Sequence, residues 1–75
     1  MNQIRRKQVT KYKAALESLK NDIDFLKMEE EMAHDNLPEG LQDSERADNM
    51  LEAVDHFEDA MGYIEDAILE LDEIV

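Results

Sequence analysis

Two residues stand at a spacing that helical metal centres use. Glu31 and His34 form a Glu-x-x-His sequence, the arrangement that di-iron proteins repeat on helices of a bundle. That chemistry requires several such ligands pointing into one core, with further carboxylates facing them from other helices. His34 falls on the flank of its helix, beside a turn. We therefore predict no metal site and no cofactor.

Other catalytic residue types are scarce. The chain has no cysteine, and its sequence contains no glycine-rich phosphate loop. Ser18 and Ser44 have no base near them in any expected geometry, so the sequence predicts no activated serine nucleophile. His56 shares an outer helical row with Tyr63 and fits a solvated position. The sequence predicts a protein that is not an enzyme.

The net charge of the chain excludes several classes of binding partner. The 75 residues include 20 acidic and 8 basic side chains, for a net charge of −12. Such a chain is repelled by nucleic acid and by anionic lipid, and it is too charged for a membrane span. No apolar stretch follows the basic start, so we expect no secretory signal and a cytoplasmic location. A domain this small buries little surface, which favours a protein partner or a second copy.

A few helix-breaking residues divide the chain into two helices. Pro38 and Gly40 lie together near the middle and disfavour a continuous helix. We predict an all-α antiparallel hairpin with helices over about 2–35 and 44–74 and a turn over about 36–43. Gly40 is free to adopt a left-handed conformation in that turn. Asp43 or Ser44 is expected to cap the second helix.

Both helices carry a heptad pattern typical of coiled coils. Apolar residues of the second helix alternate steps of three and four, at Ala47, Met50, Val54, Phe57, Met61, Ile64, Ile68, Leu71 and Val75. The first helix follows the same pattern at Val9, Tyr12, Leu16, Leu19, Ile23, Leu26 and Ala33, with Glu30 as a polar interruption. We expect the two rows to pack against each other.

Charged rows beside this seam predict the orientation of the helices. Basic residues recur every seven positions in the first helix, and acidic residues do so in the second: Lys13, Lys20 and Lys27 against Glu58, Glu65 and Asp72. These e positions meet only in an antiparallel pair. Residues 1–27 carry seven basic and three acidic groups, and residues 28–75 carry one and seventeen. We expect the hairpin to lay its basic start, including Arg5, Arg6, Lys7 and Lys11, against its acidic end.

Small residues on the opposite flank predict self-association. They recur every seven positions at Ala53, Ala60, Ala67 and Ile74, with Ala15 at the equivalent place on the first helix. The apolar stripe is therefore wider than one partner helix covers. We predict a homodimer in which two hairpins form a four-helix bundle.

Two further surfaces leave alternatives open. Phe25, Met28 and Met32 lie on the outer side of the first helix, where a dimer mate or the loop leucines Leu37 and Leu41 cover them, or where they form an adaptable docking patch. The acid face of the second helix consists of Asp48, Glu52, Asp55, Asp59, Asp66, Glu70 and Glu73. That face is either a solvated surface or a mimic of nucleic acid that occupies a basic groove of a protein.

The turn carries a resemblance. Residues 36–46, Asn-Leu-Pro-Glu-Gly-Leu-Gln-Asp-Ser-Glu-Arg, followed by acidic alanine-rich heptads, resemble small acidic proteins of Firmicutes-type bacteria and their phages. That resemblance implies a phage or prophage setting and brings no functional residues. Small phage inhibitors of host defence, including anti-CRISPR proteins, are an analogy for such a setting. The leading hypothesis is an acidic inhibitor of a nucleic-acid-handling protein, and the alternative is a structural assembly module.

Overall fold

The chain folds into two long helices joined by a short turn. In the computed structural model, which describes all of residues 1–75, α1 spans Gln3–Asp35 and α2 spans Glu45–Asp72, with a one-turn 3-10 helix at Glu39–Leu41 between them. The helices pack against each other along a molecule 60 Å long and 14 Å wide. The prediction of an all-α helical hairpin is confirmed.

Side-chain caps fix where the helices begin. The Asn2 Oδ1 atom accepts a hydrogen bond of 2.8 Å from the Arg5 amide at the start of α1. The Ser44 Oγ atom accepts one of 3.3 Å from the Ala47 amide and donates one of 2.6 Å to the Leu41 carbonyl. Ser44, rather than Asp43, is therefore the cap of α2. Each cap stabilises its helix by about 1 kcal/mol.

The turn is held by hydrogen bonds to the backbone and needs no left-handed residue. The Gln42 side-chain amide donates to the Leu37 carbonyl at 2.8 Å, and the Leu41 amide donates to the Pro38 carbonyl at 2.8 Å. No residue of the chain has a positive φ, so the expectation of a left-handed Gly40 is wrong. A right-handed 3-10 turn after Pro38 already satisfies these groups, and Gly40 lies within it.

The contact between the helices buries very little. Only Ala47, Val54 and Ile68 are buried, all three on α2, and no residue of α1 is. The remaining apolar residues of the α2 seam, except the terminal Val75, are half-buried. The hairpin thus has a line of contact rather than an enclosed core.

The predicted seam of α1 is only half correct. Its a positions are half-buried, at Val9, Leu16, Ile23 and Glu30, but its d positions are exposed, at Tyr12, Leu19, Leu26 and Ala33. The half-buried lysines at the e positions account for this difference, because they turn α1 so that its a and e rows face α2. The d row then lies to one side of the contact.

The register leaves the start of α1 without a neighbour. Lys13 contacts Asp72 and Lys20 contacts Glu65, so continuing the same register brings Val75 level with about residue 10. Residues 1–8, here called the N-terminal arm, are all exposed and extend beyond the end of α2. The expectation that the basic start lies against the acidic end is therefore wrong for Arg5, Arg6 and Lys7. It is also wrong for Lys11, which lies level with Ile74 but has its side chain exposed. All four are exposed and make no ion pair.

The helices are amphipathic rather than uniformly apolar. Neither of them contains a stretch of membrane-spanning length that is apolar enough to cross a bilayer.

Candidate protein-interaction surfaces

One lateral side of the hairpin, the ion-pair face, joins the two helices through charged side chains. Lys20 Nζ lies 2.7 Å from Glu65 Oε2, Lys27 Nζ lies 3.5 Å from Glu58 Oε1, and Lys13 contacts Asp72. These are the three pairs that the heptad spacing predicts. They confirm the antiparallel orientation, since each step of seven forward in α1 matches a step of seven backward in α2.

Lys27 is surrounded by the most negative charge on this face. Its Nζ atom lies 3.7 Å from Glu31 and 3.8 Å from Asp24 on its own helix, in addition to Glu58 across the contact. Partial desolvation lowers the pKa of Lys27. The attraction of Glu58, then of Glu31, the hydrogen bond to Glu58, and the attraction of Asp24 together outweigh that effect and raise the pKa above its ordinary value. The charged form of Lys27 is therefore favoured by folding.

The other lateral side, the apolar face, has no counterpart to these contacts. It combines the exposed d row of α1 with the alanine row of α2: Tyr12, Leu19 and Leu26 with Ala53, Ala60 and Ala67. In an antiparallel pair the d and g positions lie on the side opposite the e positions. The result is a strip of leucine, tyrosine and alanine that no other part of the chain covers.

The predicted self-association residues divide between half-buried and exposed positions. Ala53, Ala60 and Ala67 are half-buried in the apolar face, whereas Ala15 and Ile74 are exposed near the open end. The exposure of the leucine row beside the alanines does not follow from the heptad pattern, which places that row in the seam. The three lysines at the e positions of α1 could have indicated this exposure. When they pair with carboxylates of α2, the d row of α1 turns outward.

The outer patch of Phe25, Met28 and Met32 is also open to solvent. These side chains are more than half exposed, so the loop leucines do not cover them. Leu37 is half-buried in the turn, and Leu41 is exposed at 42%. Phe25 and Met32 occupy positions that border the apolar face along α1. Whether the outer patch docks a partner stays a prediction.

The acid face runs the length of α2 on its outer side. All seven of its carboxylates are exposed, and none of them makes an ion pair. From Asp48 to Glu73 the row covers roughly 37 Å at the rise of an α-helix. Arg46, at the start of α2, is the only basic residue of that helix and makes no ion pair with this face. The lysines that α1 turns toward α2 are engaged with other carboxylates: Lys13, Lys20 and Lys27. This face is therefore a continuous negative surface.

The residues with metal-ligand spacing are engaged elsewhere. Glu31 Oε1 lies 3.7 Å from Lys27, and His34 Nδ1 lies 3.5 Å from Asp35. His34 is half-buried at an e position beside the turn, and Glu31 is exposed. No group of three or more histidine, cysteine or carboxylate side chains converges on a point where it could hold a metal ion.

Comparison with known proteins finds no family model, curated protein or solved structure that matches this chain. Geometry and charge are therefore what indicate the roles of its four surfaces.

Proposed function

We propose that the protein is a non-enzymatic interaction module whose acid face binds a basic surface of a nucleic-acid-handling protein and competes there with nucleic acid. The observation that carries this proposal is the unpaired state of all seven carboxylates along the outer side of α2 and its C-cap. Carboxylates that already paired within the chain would have little charge left to offer a partner.

The charge density of α2 supports this proposal. The seven unpaired carboxylates of the acid face extend over roughly 37 Å from Asp48 to Glu73, which is one negative charge per roughly 6 Å. A single strand of B-form DNA carries one per about 3.4 Å, and the duplex carries one per about 1.7 Å. The acid face thus presents roughly half the charge density of one strand, at positions that the helix keeps fixed.

We propose that the protein is a phage or prophage inhibitor of host defence. Anti-CRISPR proteins are one example of such inhibitors. The resemblance of the turn to small acidic phage proteins supports it, and the high net negative charge fits it. Such an inhibitor would act in the cytoplasm, where nucleases that handle foreign DNA encounter their substrates.

A pull-down with defined competitors tests this function. The immobilised protein is incubated with bacterial lysate at about 50 mM salt, and bound proteins are released either by raising the salt or by adding duplex DNA. We expect a nucleic-acid-binding protein that both treatments release. Failure to retain any such protein, or retention that DNA does not compete with, would contradict the proposal.

Neutralising the acid face supplies the matched control. The variant Asp55→Asn/Asp59→Asn/Asp66→Asn/Glu70→Gln should lose the partner. The variant Glu17→Gln/Asp22→Asn/Glu29→Gln/Asp43→Asn removes the same net charge from exposed positions elsewhere and should retain it. Equal loss in both variants would show that total charge, and not the acid face, determines binding.

The alternative function is a structural module that only self-associates. The exposed leucine row of the apolar face favours it, and neutralising the acid face would leave such a module unaffected. Self-association and inhibition use different faces, so one chain can do both.

A further inference from the structure

The apolar face is too large and too continuous to be an ordinary solvated surface. Tyr12, Leu19 and Leu26 are 57%, 53% and 48% exposed, and they recur every seven residues along α1. Scattered single apolar residues are normal on protein surfaces, but a contiguous row is typical of an interface. The half-buried alanines of α2 lie beside this row and leave room for another helix to approach closely.

The accessible surface of the chain is larger than that of a compact monomer of the same mass. Its accessible surface is 5801 Å², whereas a compact monomer of this mass exposes about 4,700 Å². The excess is about 1,100 Å², and a stable protein–protein interface of standard size removes about 800 Å² from each partner. One interface with a second hairpin therefore brings the exposed surface into the range of a stably folded protein.

The two ends of the hairpin differ in charge in a way that fixes how two copies fit. Residues 29–48, around the turn, contain eight acidic residues and one basic residue. The open end combines five basic residues in 1–13 with five acidic residues in 65–75. Placing two turn ends together would concentrate negative charge, whereas an antiparallel arrangement places each turn end beside an open end.

The N-terminal arm and a groove at the turn end fit this arrangement. The arm extends beyond α2, and its Arg5 occupies the same d row as Tyr12 and Leu19. At the turn end a shallow groove of about 420 Å³ lies between the helices, lined by Glu30, Glu45, Arg46, Asn49, Met50 and Ala53. Glu30 is half-buried there and makes no ion pair or side-chain hydrogen bond. It is a carboxylate at a seam position that lacks a cation.

We infer that two copies of this chain pack antiparallel through their apolar faces, with the basic N-terminal arm of each lying beside the unpaired Glu30 in the groove at the turn end of the other. The assembly is a four-helix bundle in which the leucine rows of both α1 helices become core. This inference goes beyond the proposed function and does not depend on it, because the acid face points away from the apolar face.

Sedimentation of two matched double variants tests the interface. Leu19→Gln/Leu26→Gln removes two leucines from the apolar face. Leu51→Gln/Leu69→Gln removes two leucines of nearly equal exposure, 47% and 53%, from positions outside it. We expect the wild type to sediment as a dimer of the 8.7 kDa chain. The first variant should raise the dissociation constant at least about 100-fold, and the second should leave it within about threefold.

Three outcomes would overturn the inference: a monomeric wild type, a larger assembly, or equal effects of the two variants. A monomeric wild type would leave the apolar face to a different protein. Should Leu19→Gln/Leu26→Gln unfold, the thermal midpoint of the wild type decides the matter. A midpoint that rises with protein concentration supports the dimer, and one that is constant over a 100-fold dilution contradicts it.

A distance measurement tests the orientation. The chain has no cysteine, and a Cβ at Gly40 meets no atom within 4 Å, so Gly40→Cys accepts a spin label at the turn. In a molecule 60 Å long, antiparallel hairpins separate the two labels by more than about 40 Å, and parallel hairpins bring them within about 20 Å. Electron–electron double resonance should give the long distance. The short distance would contradict the antiparallel arrangement.

Discussion

On one lateral side of the hairpin, three lysines of α1 meet three carboxylates of α2. On the other side, a row of two leucines and a tyrosine on α1 is left about half exposed to solvent. Both sides belong to the same heptads, and they differ only in which row of α1 is turned toward α2. The ion-pair face satisfies its side chains within one chain, whereas the apolar face leaves its row of large side chains about half exposed.

This difference indicates how the two faces divide the tasks of folding and recognition. Exposed ion pairs stabilise weakly, by a few tenths of a kcal/mol each, but they select register and orientation. Burial of apolar side chains contributes more stabilising free energy per residue, but it discriminates much less between registers and orientations. In this protein the specific contacts lie within the chain, and much of its large apolar surface is left exposed by the fold of a single chain.

The largest effect is expected where the two helices touch. Ile68→Ala should lower the free energy of unfolding by about 2–4 kcal/mol, because Ile68 is one of three buried side chains. Leu69→Ala, at the next position and more than half exposed, should change it by less than about 0.5 kcal/mol. Urea unfolding followed by circular dichroism at equal concentrations measures both. Similar losses in the two variants would show that the helices do not pack as described.

A smaller gain is expected at Gly62, which lies outside both lateral faces. A Cβ added there meets no atom within 4 Å, and the position is exposed within α2. Gly62→Ala should therefore raise the free energy of unfolding by about 0.5–1 kcal/mol through helix propensity alone. The same unfolding experiment checks it. The dissociation constant of the dimer should not change beyond this gain, and specific weakening of association would place Gly62 in an interface.

The ion-pair face is tested by exchanging one pair. Lys20→Glu should destabilise the hairpin, and adding Glu65→Lys should restore it through a coupling energy of about 0.5 kcal/mol. Adding Glu70→Lys instead makes the same change in net charge on the acid face, where no partner lies opposite. Thermal unfolding at low and high salt compares the two. Equal rescue by both lysines would mean that general charge balance, and not the Lys20–Glu65 contact, stabilises the fold.

The smallest effect is expected at alkaline pH. Folding raises the pKa of Lys27, so its contribution is complete below about pH 10.4, the ordinary pKa of lysine, and is lost as the pH rises through the folded value. The thermal midpoint should fall as the pH is raised from 9 to 12, and Lys27→Gln should reduce that fall. Lys11→Gln, at an exposed lysine without an ion pair, should leave it nearly unchanged. An identical pH profile in wild type and Lys27→Gln would contradict the role of this pair.

Much of the fold follows from sequence because its determinants are local and periodic. Pro38 interrupts the helices, Ser44 caps α2, and lysines and carboxylates at seven-residue intervals set the antiparallel register. The rotation of α1 about its own axis is not local. The a and d rows are about equally apolar, so periodicity alone does not show that Leu16 faces α2 while Leu19 faces outward.

The ends of the hairpin show a second limit. The sequence indicates that the basic and acidic halves attract, but the length of the N-terminal arm depends on where the register begins. Arg5 and Arg6 therefore extend past α2, although their charge alone places them against it. The roles of the acid face, the outer patch and the apolar face in recognition stay predictions, because composition describes what a surface offers and not what binds it.

One measurement tests most directly whether the apolar face contacts a second copy while the buried residues contact only their own chain. In a sample that mixes chains labelled with ¹³C and unlabelled chains, isotope-filtered nuclear Overhauser spectroscopy detects only contacts between copies. The account predicts such contacts from the Tyr12 ring and from the methyl groups of Leu19 and Leu26, and none from Val54 or Ile68. Contacts between copies at Val54 and Ile68, or their absence at Tyr12, Leu19 and Leu26, would contradict it.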